Sequence, residues 1–143
     1  MEYRIPDDAL SPGVFHAQGA DKLPGHLGFD ITSMTRDRVE GRFEVRQTLM
    51  APNGYLHGGT VVAFADTLAG YLTVANLRAD EGFTTVELKT NFFSTLLEGW
   101  VSGSASVVHR GKTTAVIDVE VLAETTGRRM ALFRCTNLIL KPG

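Results

Sequence analysis

The sequence has very little cysteine and no strong charge of either sign. Cys135 is the only cysteine among 143 residues, so no disulfide can form within the chain. The formal net charge is −2, from 14 basic and 16 acidic side chains. A chain so close to neutrality gives no electrostatic reason to bind nucleic acid or an anionic membrane. Because a lone cysteine suits a reducing compartment, we expect a cytoplasmic protein.

Long apolar runs are also scarce. Residues 1–8 lack the apolar segment of a secretory signal. The run from 61 to 77 is too short for a membrane span and contains Asp66, so we expect no contact with a membrane. The length suits one domain over residues 1–143. Residues 1–28 are expected to be irregular or weakly helical, because prolines and glycines interrupt them.

Several common site motifs are missing. No Gly-x-Ser-x-Gly accompanies His57-Gly58-Gly59, which argues against a lipase-like nucleophile elbow. Gly111-Lys112-Thr113 lacks the upstream glycine of a phosphate-binding loop, and a strand pattern follows it. The four histidines show no metal-ligand spacing and there is no second thiol, so we expect no metal site. Cys135 lies in an apolar strand-like run, where we expect it to be inert.

What the sequence does contain is a helical pattern of apolar residues after a pair of glycines. Positions 61, 65, 68, 72 and 75 are apolar and follow the helical period. A helix that is apolar on nearly all sides is usually buried. Asp66 lies in the middle of this run, and a buried carboxylate is costly unless it is paired or functional. We therefore predict a central buried helix that carries one acid.

From residue 83 onward the sequence is typical of β-strands. Strands are predicted at 84–93, 100–109, 115–123 and 129–140, with one more at 39–46 before the helix. Short glycine-bearing connections at 97–99, 109–113 and 124–128 predict hairpins, which makes successive strands antiparallel. A short helix is predicted around 15–23. The predicted fold class is α+β, with a long central helix wrapped by an antiparallel sheet of five to six strands.

The helix combines two groups that suit acyl transfer. Free N–H groups at a helix start attract negative charge, and Gly58-Gly59 would let a substrate approach the backbone. Asp66 could act as a nucleophile or a general base. The two positions are about 12 Å apart along a helix, too far to act on one carbonyl within one chain. Two antiparallel helices about a two-fold axis would bring them together, which predicts a homodimer with shared sites.

The residues alone also allow a purely structural explanation. Asp66 would then only hydrogen-bond to a neighbouring segment, and Gly58-Gly59 would only form a tight turn. Composition and spacing do not decide between these two explanations.

A sequence motif favours the catalytic explanation over the structural one. Gly54-x-x-His57-Gly58-Gly59, with Asp66 nine residues after the histidine, resembles the hotdog-fold acyl-CoA thioesterases. The nearest groups are the phenylacetate-pathway thioesterases and the 4-hydroxybenzoyl-CoA thioesterases with a helix-borne acid. The similarity extends from about Leu27 to the C-terminus. It includes the segment 85–88, the Glu98-Gly99 turn and the 110–113 hairpin.

The resemblance implies that an acyl- or aryl-CoA is hydrolysed to the free acid and coenzyme A. The N–H of Gly58 would polarise the thioester carbonyl, within the motif that also contains His57 and Gly59. Asp66 of the partner subunit would attack the carbonyl or activate water, and Thr85 would orient that water. Members of the family commonly form tetramers, as dimers of dimers.

The resemblance also implies how coenzyme A is held. It is part of the substrate, so no cofactor and no metal are expected. Basic groups near the surface usually bind its nucleotide end, for which Arg110, Lys112 and Arg128 are candidates, although hairpin charges are as often simply solvated.

One position departs from the pattern of the family. An Asn or Gln often stands six residues before the motif histidine, and here that position is Ala51. Asn53 could supply the missing amide, but its place in Pro52-Asn53-Gly54 favours a turn role. Two other functions stay open: a non-catalytic acyl-CoA-binding hotdog protein, and a hotdog dehydratase.

Overall fold

A computed structural model describes residues 2–142 of the protein. Its elements are the helices α1 (Pro12–Gly19), α2 (Leu23–Leu27) and α3 (Gly58–Ala75), and the strands β1 (Asp30–Met34), β2 (Arg38–Glu44), β3 (Gly82–Phe92), β4 (Trp100–Arg110), β5 (Thr114–Ala123) and β6 (Arg129–Leu140). The strands form one antiparallel sheet in the order β1-β2-β4-β5-β6-β3. The α+β class, the long helix and the six strands confirm the predicted hotdog architecture.

Helix α3 packs against one face of this sheet. Alternate residues of β5 are buried beneath it, as its alternating apolar pattern requires: Ala115, Ile117, Val119, Val121 and Ala123. Gly41 and Gly103 face each other on β2 and β4. A Cβ at Gly103 would lie 2.6 Å from the Phe64 ring of α3. These two glycines therefore let the helix approach the sheet closely.

Only one side of α3 is buried, which corrects the prediction of a helix buried on nearly all sides. Phe64, Leu68 and Leu72 are fully enclosed. The other side is partly or fully exposed, and its residues are mostly small: Gly59, Val62, Ala63, Asp66, Thr67 and Gly70. By length and composition alone, α3 could cross a membrane. Half of the helix is buried inside the protein, however, as is usual for the core helix of a globular domain. The acid predicted to be buried is half-exposed.

The connection between β3 and β4 is not a hairpin, contrary to the prediction at 97–99. Strand β3 pairs with β6 at one edge of the sheet, whereas β4 lies between β2 and β5. Residues 93–99 therefore cross from one part of the sheet to another. The amide of Phe93 still bonds to the carbonyl of Met130 in β6, and Gly99 turns the chain with a φ of 91°.

The N-terminal part has more regular structure than predicted. The helix predicted around 15–23 is wrong in its bounds, because the chain forms α1 and α2 with a break at 20–22. Pro12 and Pro24 stand near the starts of these helices, where the missing N–H costs nothing. Strand β1, which was not predicted separately, pairs with β2.

Strand β3 lies at the edge of the sheet and carries exposed apolar side chains. Val86 is 56% exposed, and Leu88 and Phe92 are also exposed. One edge of its backbone has no neighbouring strand within residues 2–142. Long apolar edge strands are rare in monomers, because they present unpaired N–H and C=O groups to other chains. This edge is a surface on which a second strand could pair.

Candidate active site

The start of α3 is capped by His57. Its imidazole Nδ1 accepts a hydrogen bond from the Gly59 N–H at 2.7 Å. Its backbone carbonyl accepts bonds from the N–H groups of Thr60 and Val61. Of the four N–H groups that a helix start leaves without helical partners, His57 satisfies those of Gly59 and Thr60, and its own N–H donates to the Leu49 carbonyl. The fourth, the N–H of Gly58, has no hydrogen-bond partner within residues 2–142.

This cap depends on the position of the His57 ring. The ring nitrogen Nδ1 is the acceptor of the bond from the Gly59 N–H. A Cβ at Gly59 would lie 2.8 Å from Nδ1. Any side chain at position 59 would push the ring away and break the cap. The absence of a side chain at Gly59 therefore leaves room for the His57 ring to cap the helix.

An apolar groove borders the unpartnered N–H of Gly58. It has a volume of about 310 Å³ and is lined largely by Tyr55, Leu56, Val61, Phe92, Phe93 and Met130. A Cβ at Gly58 would lie 3.4 Å from the Phe92 ring. Tyr55 and Phe93 are more than half exposed. The groove could hold an apolar group beside a donor that attracts developing negative charge.

Asp66 lies on the half-exposed side of α3 without a hydrogen-bond or ion-pair partner in the described part of the chain. Burial raises the pKa of its carboxyl above the usual 3.8. Burial, and then the charge of Asp66, raise the pKa of the Cys135 thiol to about 12. Such a thiol stays protonated and unreactive at neutral pH. Of these two groups, Asp66 is therefore the one that can take up a proton or attack.

The structure does not bring Gly58 and Asp66 together within one chain. Both belong to α3, eight residues apart, which is about 12 Å along the axis. Thr85 of β3 is in register with Asn137 of β6, whose amide bonds to Thr73. Thr73 is about 10 Å beyond Asp66 along α3. No hydrogen bond joins Thr85 to Asp66 in residues 2–142, and its role with water stays a prediction.

Asn53 serves the turn before the helix. Its Oδ1 accepts a hydrogen bond from the Tyr55 N–H at 3.2 Å. The Ala51 N–H donates to the Tyr55 carbonyl at 2.7 Å and closes the same turn. The side-chain oxygen of Asn53 is thus occupied locally, and a contact with substrate stays a prediction.

Arg110 and Lys112 lie in one basic pocket near the C-terminal end of α3. The pocket has a volume of about 280 Å³ and also contains Arg78 and Lys141, which the sequence analysis missed. No local motif could have identified these two, because the fold alone brings them to the hairpin. Lys112 is exposed and has no ion pair among the described residues. This makes it the pocket cation best placed to meet an anion.

Arg110 is occupied by an internal partner. Its guanidinium lies 2.7 Å from the carboxylate of Glu81, which is 3% exposed. Burial alone would raise the pKa of Glu81, but the Arg78 N–H and the charges of Arg110 and Lys141 lower it overall. Arg110 therefore helps to hold this pocket together.

Arg128 is separate from this basic pocket. It donates to the Thr95 carbonyl at 2.7 Å, and the Thr95 hydroxyl accepts from the Leu56 N–H near the start of α3. The three predicted basic residues thus divide between two ends of the subunit. Within residues 2–142, no group of three or more His, Cys, Asp or Glu side chains could hold a metal ion.

We predict that His57 stabilises the protein as a helix cap. His57→Ala should lower the free energy of unfolding by about 1 kcal/mol, because the Gly59 N–H loses its partner. His57→Asn should recover most of this loss, since the asparagine oxygen is a good cap. Urea unfolding of both variants measures the difference. Equal stability of the two variants would contradict the capping role.

Comparisons with known proteins agree with this architecture. A family model described as the thioesterase superfamily matches residues 53–130, more than half of the 143 residues. A 1,4-dihydroxy-2-naphthoyl-CoA hydrolase of Listeria monocytogenes is 29% identical over 115 residues, which are 80% of this chain and 93% of that protein. A thioesterase structure from Haemophilus influenzae has a TM-score of 0.86 at 21% identity, over 92% of this chain and 91% of that one.

A second solved structure shares the fold and contains the expected type of ligand. A hypothetical thioesterase of Streptococcus pneumoniae, solved with coenzyme A, has a TM-score of 0.77 at 20% identity. The match covers 92% of this chain and 98% of that one. The chain belongs to the thioesterase superfamily, adopts its hotdog fold and is a thioester hydrolase.

Proposed function

We propose that the protein hydrolyses an acyl- or aryl-CoA to the free acid and coenzyme A, at sites shared by two subunits. The observation that carries this proposal is the N–H of Gly58, the one N–H at the start of α3 that His57 leaves unpartnered. It would bind the thioester oxygen as negative charge develops there. Asp66 of the partner subunit would attack the carbonyl carbon or take a proton from an attacking water.

The surface of the subunit supports a dimer of this kind. Small residues on the exposed side of α3, such as Gly59, Ala63 and Gly70, would let a second helix approach closely. If Gly58 of one helix meets Asp66 of an antiparallel helix, the two-fold axis passes near position 62. Pairing of two β3 edges about the same axis would continue the sheet and cover exposed side chains such as Leu88.

A tetramer is part of the proposal, as two such dimers packed together. The outer face of β6 carries exposed Leu132, Leu138 and Leu140, which a second contact would cover. A cytoplasmic location is also proposed, on the grounds of composition. No cofactor or metal enters the proposed reaction, because coenzyme A arrives and leaves as part of the substrate.

The electrostatics of Asp66 suit the proposed chemistry. A carboxylate that is partly desolvated and unpaired is a stronger base than one in water. The departing group is the thiolate of coenzyme A, which takes a proton as it leaves. Lys112 and its basic pocket would attract the phosphates, with Arg128 as the alternative at the other end of the subunit.

We predict that Asp66→Asn lowers kcat by about 100-fold or more, as loss of an activating group should. Thiol release over a panel of acyl-CoAs measures this. The wild-type rate should fall as the pH drops through the raised pKa of Asp66, because the protonated carboxyl is inactive. Asp37→Asn changes an exposed acid and is the control. Full activity in Asp66→Asn, or binding of acyl-CoA without turnover in the wild type, would contradict the proposal.

The same variant should be more stable than the wild type at pH 7. A raised pKa means that folding disfavours the charged carboxylate, and asparagine removes this penalty. The gain should shrink as the pH falls through that pKa, since the wild-type carboxyl then becomes neutral too. Urea unfolding at several pH values measures it. A variant less stable than the wild type at pH 7 would show that Asp66 is a structural group.

We predict that Gly58→Pro removes activity without removing the fold. Proline at the first helical position is favourable, and the extended ψ of 129° at His57 suits a residue before proline. The only group lost is an N–H that has no partner. The expected loss in kcat is about 100- to 1,000-fold, as for one oxyanion donor. Gly58→Ala keeps the N–H and is the matched control. Equal activities of the two variants would exclude this N–H from the reaction.

We predict that Lys112→Ala raises KM for acyl-CoA about fivefold, for an exposed contact of roughly 1 kcal/mol. The same variant should leave KM unchanged for the pantetheine thioester, which lacks the nucleotide. Steady-state kinetics with both substrates makes the comparison, and Arg128→Ala tests the other basic position. If only Arg128→Ala raised KM, the nucleotide would instead bind at the opposite end of the subunit.

A further inference from the structure

The N-terminal segment, residues 2–7, lies against the part of the chain that follows α3. The Arg4 N–H donates a hydrogen bond to the Leu77 carbonyl at 2.9 Å. Beside this bond, Tyr3 pairs with Arg78 in an isolated antiparallel bridge. The fold thus brings the third residue of the chain to the C-terminal end of α3.

Arg36 holds the same segment from a second direction. Its guanidinium donates to the Ile5 carbonyl at 2.8 Å and to the Asp7 carboxylate at 2.6 Å. It also donates to the Ala75 carbonyl, in the last turn of α3. The guanidinium carbon lies 3.7 Å from the centre of the Tyr3 ring. The ring of Tyr3 is therefore held in place from the helix as well as from its own backbone.

The Tyr3 ring forms part of the wall of the basic pocket. The guanidinium carbon of Arg78, which also lines this pocket, lies 4.5 Å from the centre of the ring. An aromatic ring attracts a cation within about 6 Å of its centre. Among the described residues, the pocket has four basic side chains and one acid, Glu81. The ring therefore stabilises one guanidinium in a place where other positive charges repel it.

An arginine that is already in position binds a phosphate more tightly than a mobile one. The forked donors of a guanidinium match the oxygens of a phosphate group. Ordering a long side chain at the moment of binding lowers the affinity by roughly two- to tenfold. Where a ring holds the guanidinium beforehand, the ordering occurs on folding and this loss is avoided.

We propose that Tyr3 is a positioning residue for the nucleotide end of acyl-CoA, because its ring holds Arg78 where the guanidinium can bind a phosphate group beside Lys112. This rests on the proposed function, which puts the nucleotide in the basic pocket. The family model matches residues 53–130, so the N-terminal segment lies outside that match. A segment outside the matched region thus contributes to the affinity for the substrate.

The experiment compares KM for an acyl-CoA with KM for the pantetheine thioester of the same acid, which lacks the nucleotide. Tyr3→Leu should raise KM for the acyl-CoA about threefold or more. It should leave kcat on both substrates, and KM for the pantetheine thioester, unchanged. Tyr3→Phe keeps the ring and is the matched control, so it should retain the wild-type KM.

A second variant tests whether Tyr3 acts through Arg78. Arg78→Gln should also raise KM for the acyl-CoA and not for the pantetheine thioester. Adding Tyr3→Leu to Arg78→Gln should have little further effect, because the ring then has no cation to position. Effects of the two changes that combine in full would contradict this coupling.

An acyl-CoA KM that is the same in Tyr3→Leu and the wild type would overturn the inference and leave the thioesterase proposal intact. A Tyr3→Leu variant that loses activity equally on both substrates would also overturn it, since the ring would then only stabilise the fold. Even if Tyr3→Leu did not fold, an unchanged KM in Arg78→Gln would have the same consequence. Failure of the wild type to hydrolyse any acyl-CoA would instead contradict the proposed function.

Discussion

The separation of two groups along helix α3 determines how the proposed active site can be assembled. The N–H of Gly58 and the carboxylate of Asp66 are eight residues apart on α3, and a helix keeps them about 12 Å from each other. No rearrangement of side chains can bring an N–H of the backbone across that gap. In the proposed reaction, each subunit therefore supplies one half of each of two sites, and a second copy of the chain is needed to complete them.

The rest of the fold suits this constraint. Gly41 and Gly103 let α3 settle on the sheet, so that its other side remains free. His57 satisfies the neighbouring N–H groups and leaves the one at Gly58 without a partner. The sheet order puts β3 at an edge with apolar side chains exposed. A helix face of small residues and an open strand edge on the same subunit are the features that a two-fold dimer would use.

The sequence predicted those elements whose signal is local, and missed those that depend on distant parts of the chain. Strand β6 was predicted at its observed bounds and α3 nearly so. The spacing of apolar residues and the residue types indicate both elements from local sequence alone. The pairing of β3 with β6 was missed, since a glycine turn at 97–99 looks like a hairpin whichever strands it joins. Asp66 was expected to be buried because a helical pattern does not reveal which side the sheet leaves open. The place of Tyr3 beside Arg78 has no signature in sequence, because only the fold brings the N-terminal segment to the end of α3.

The most direct test of a shared site is the activity of a mixed dimer. One subunit would carry Asp66→Asn and the other Gly58→Pro, with different affinity tags so that only the heterodimer is purified. One of its two sites then has both an intact N–H and an intact carboxylate, while the other site has neither. The account predicts that each homodimer is inactive and that the heterodimer has about half the kcat of the wild type per dimer. A heterodimer that forms and remains inactive would contradict it.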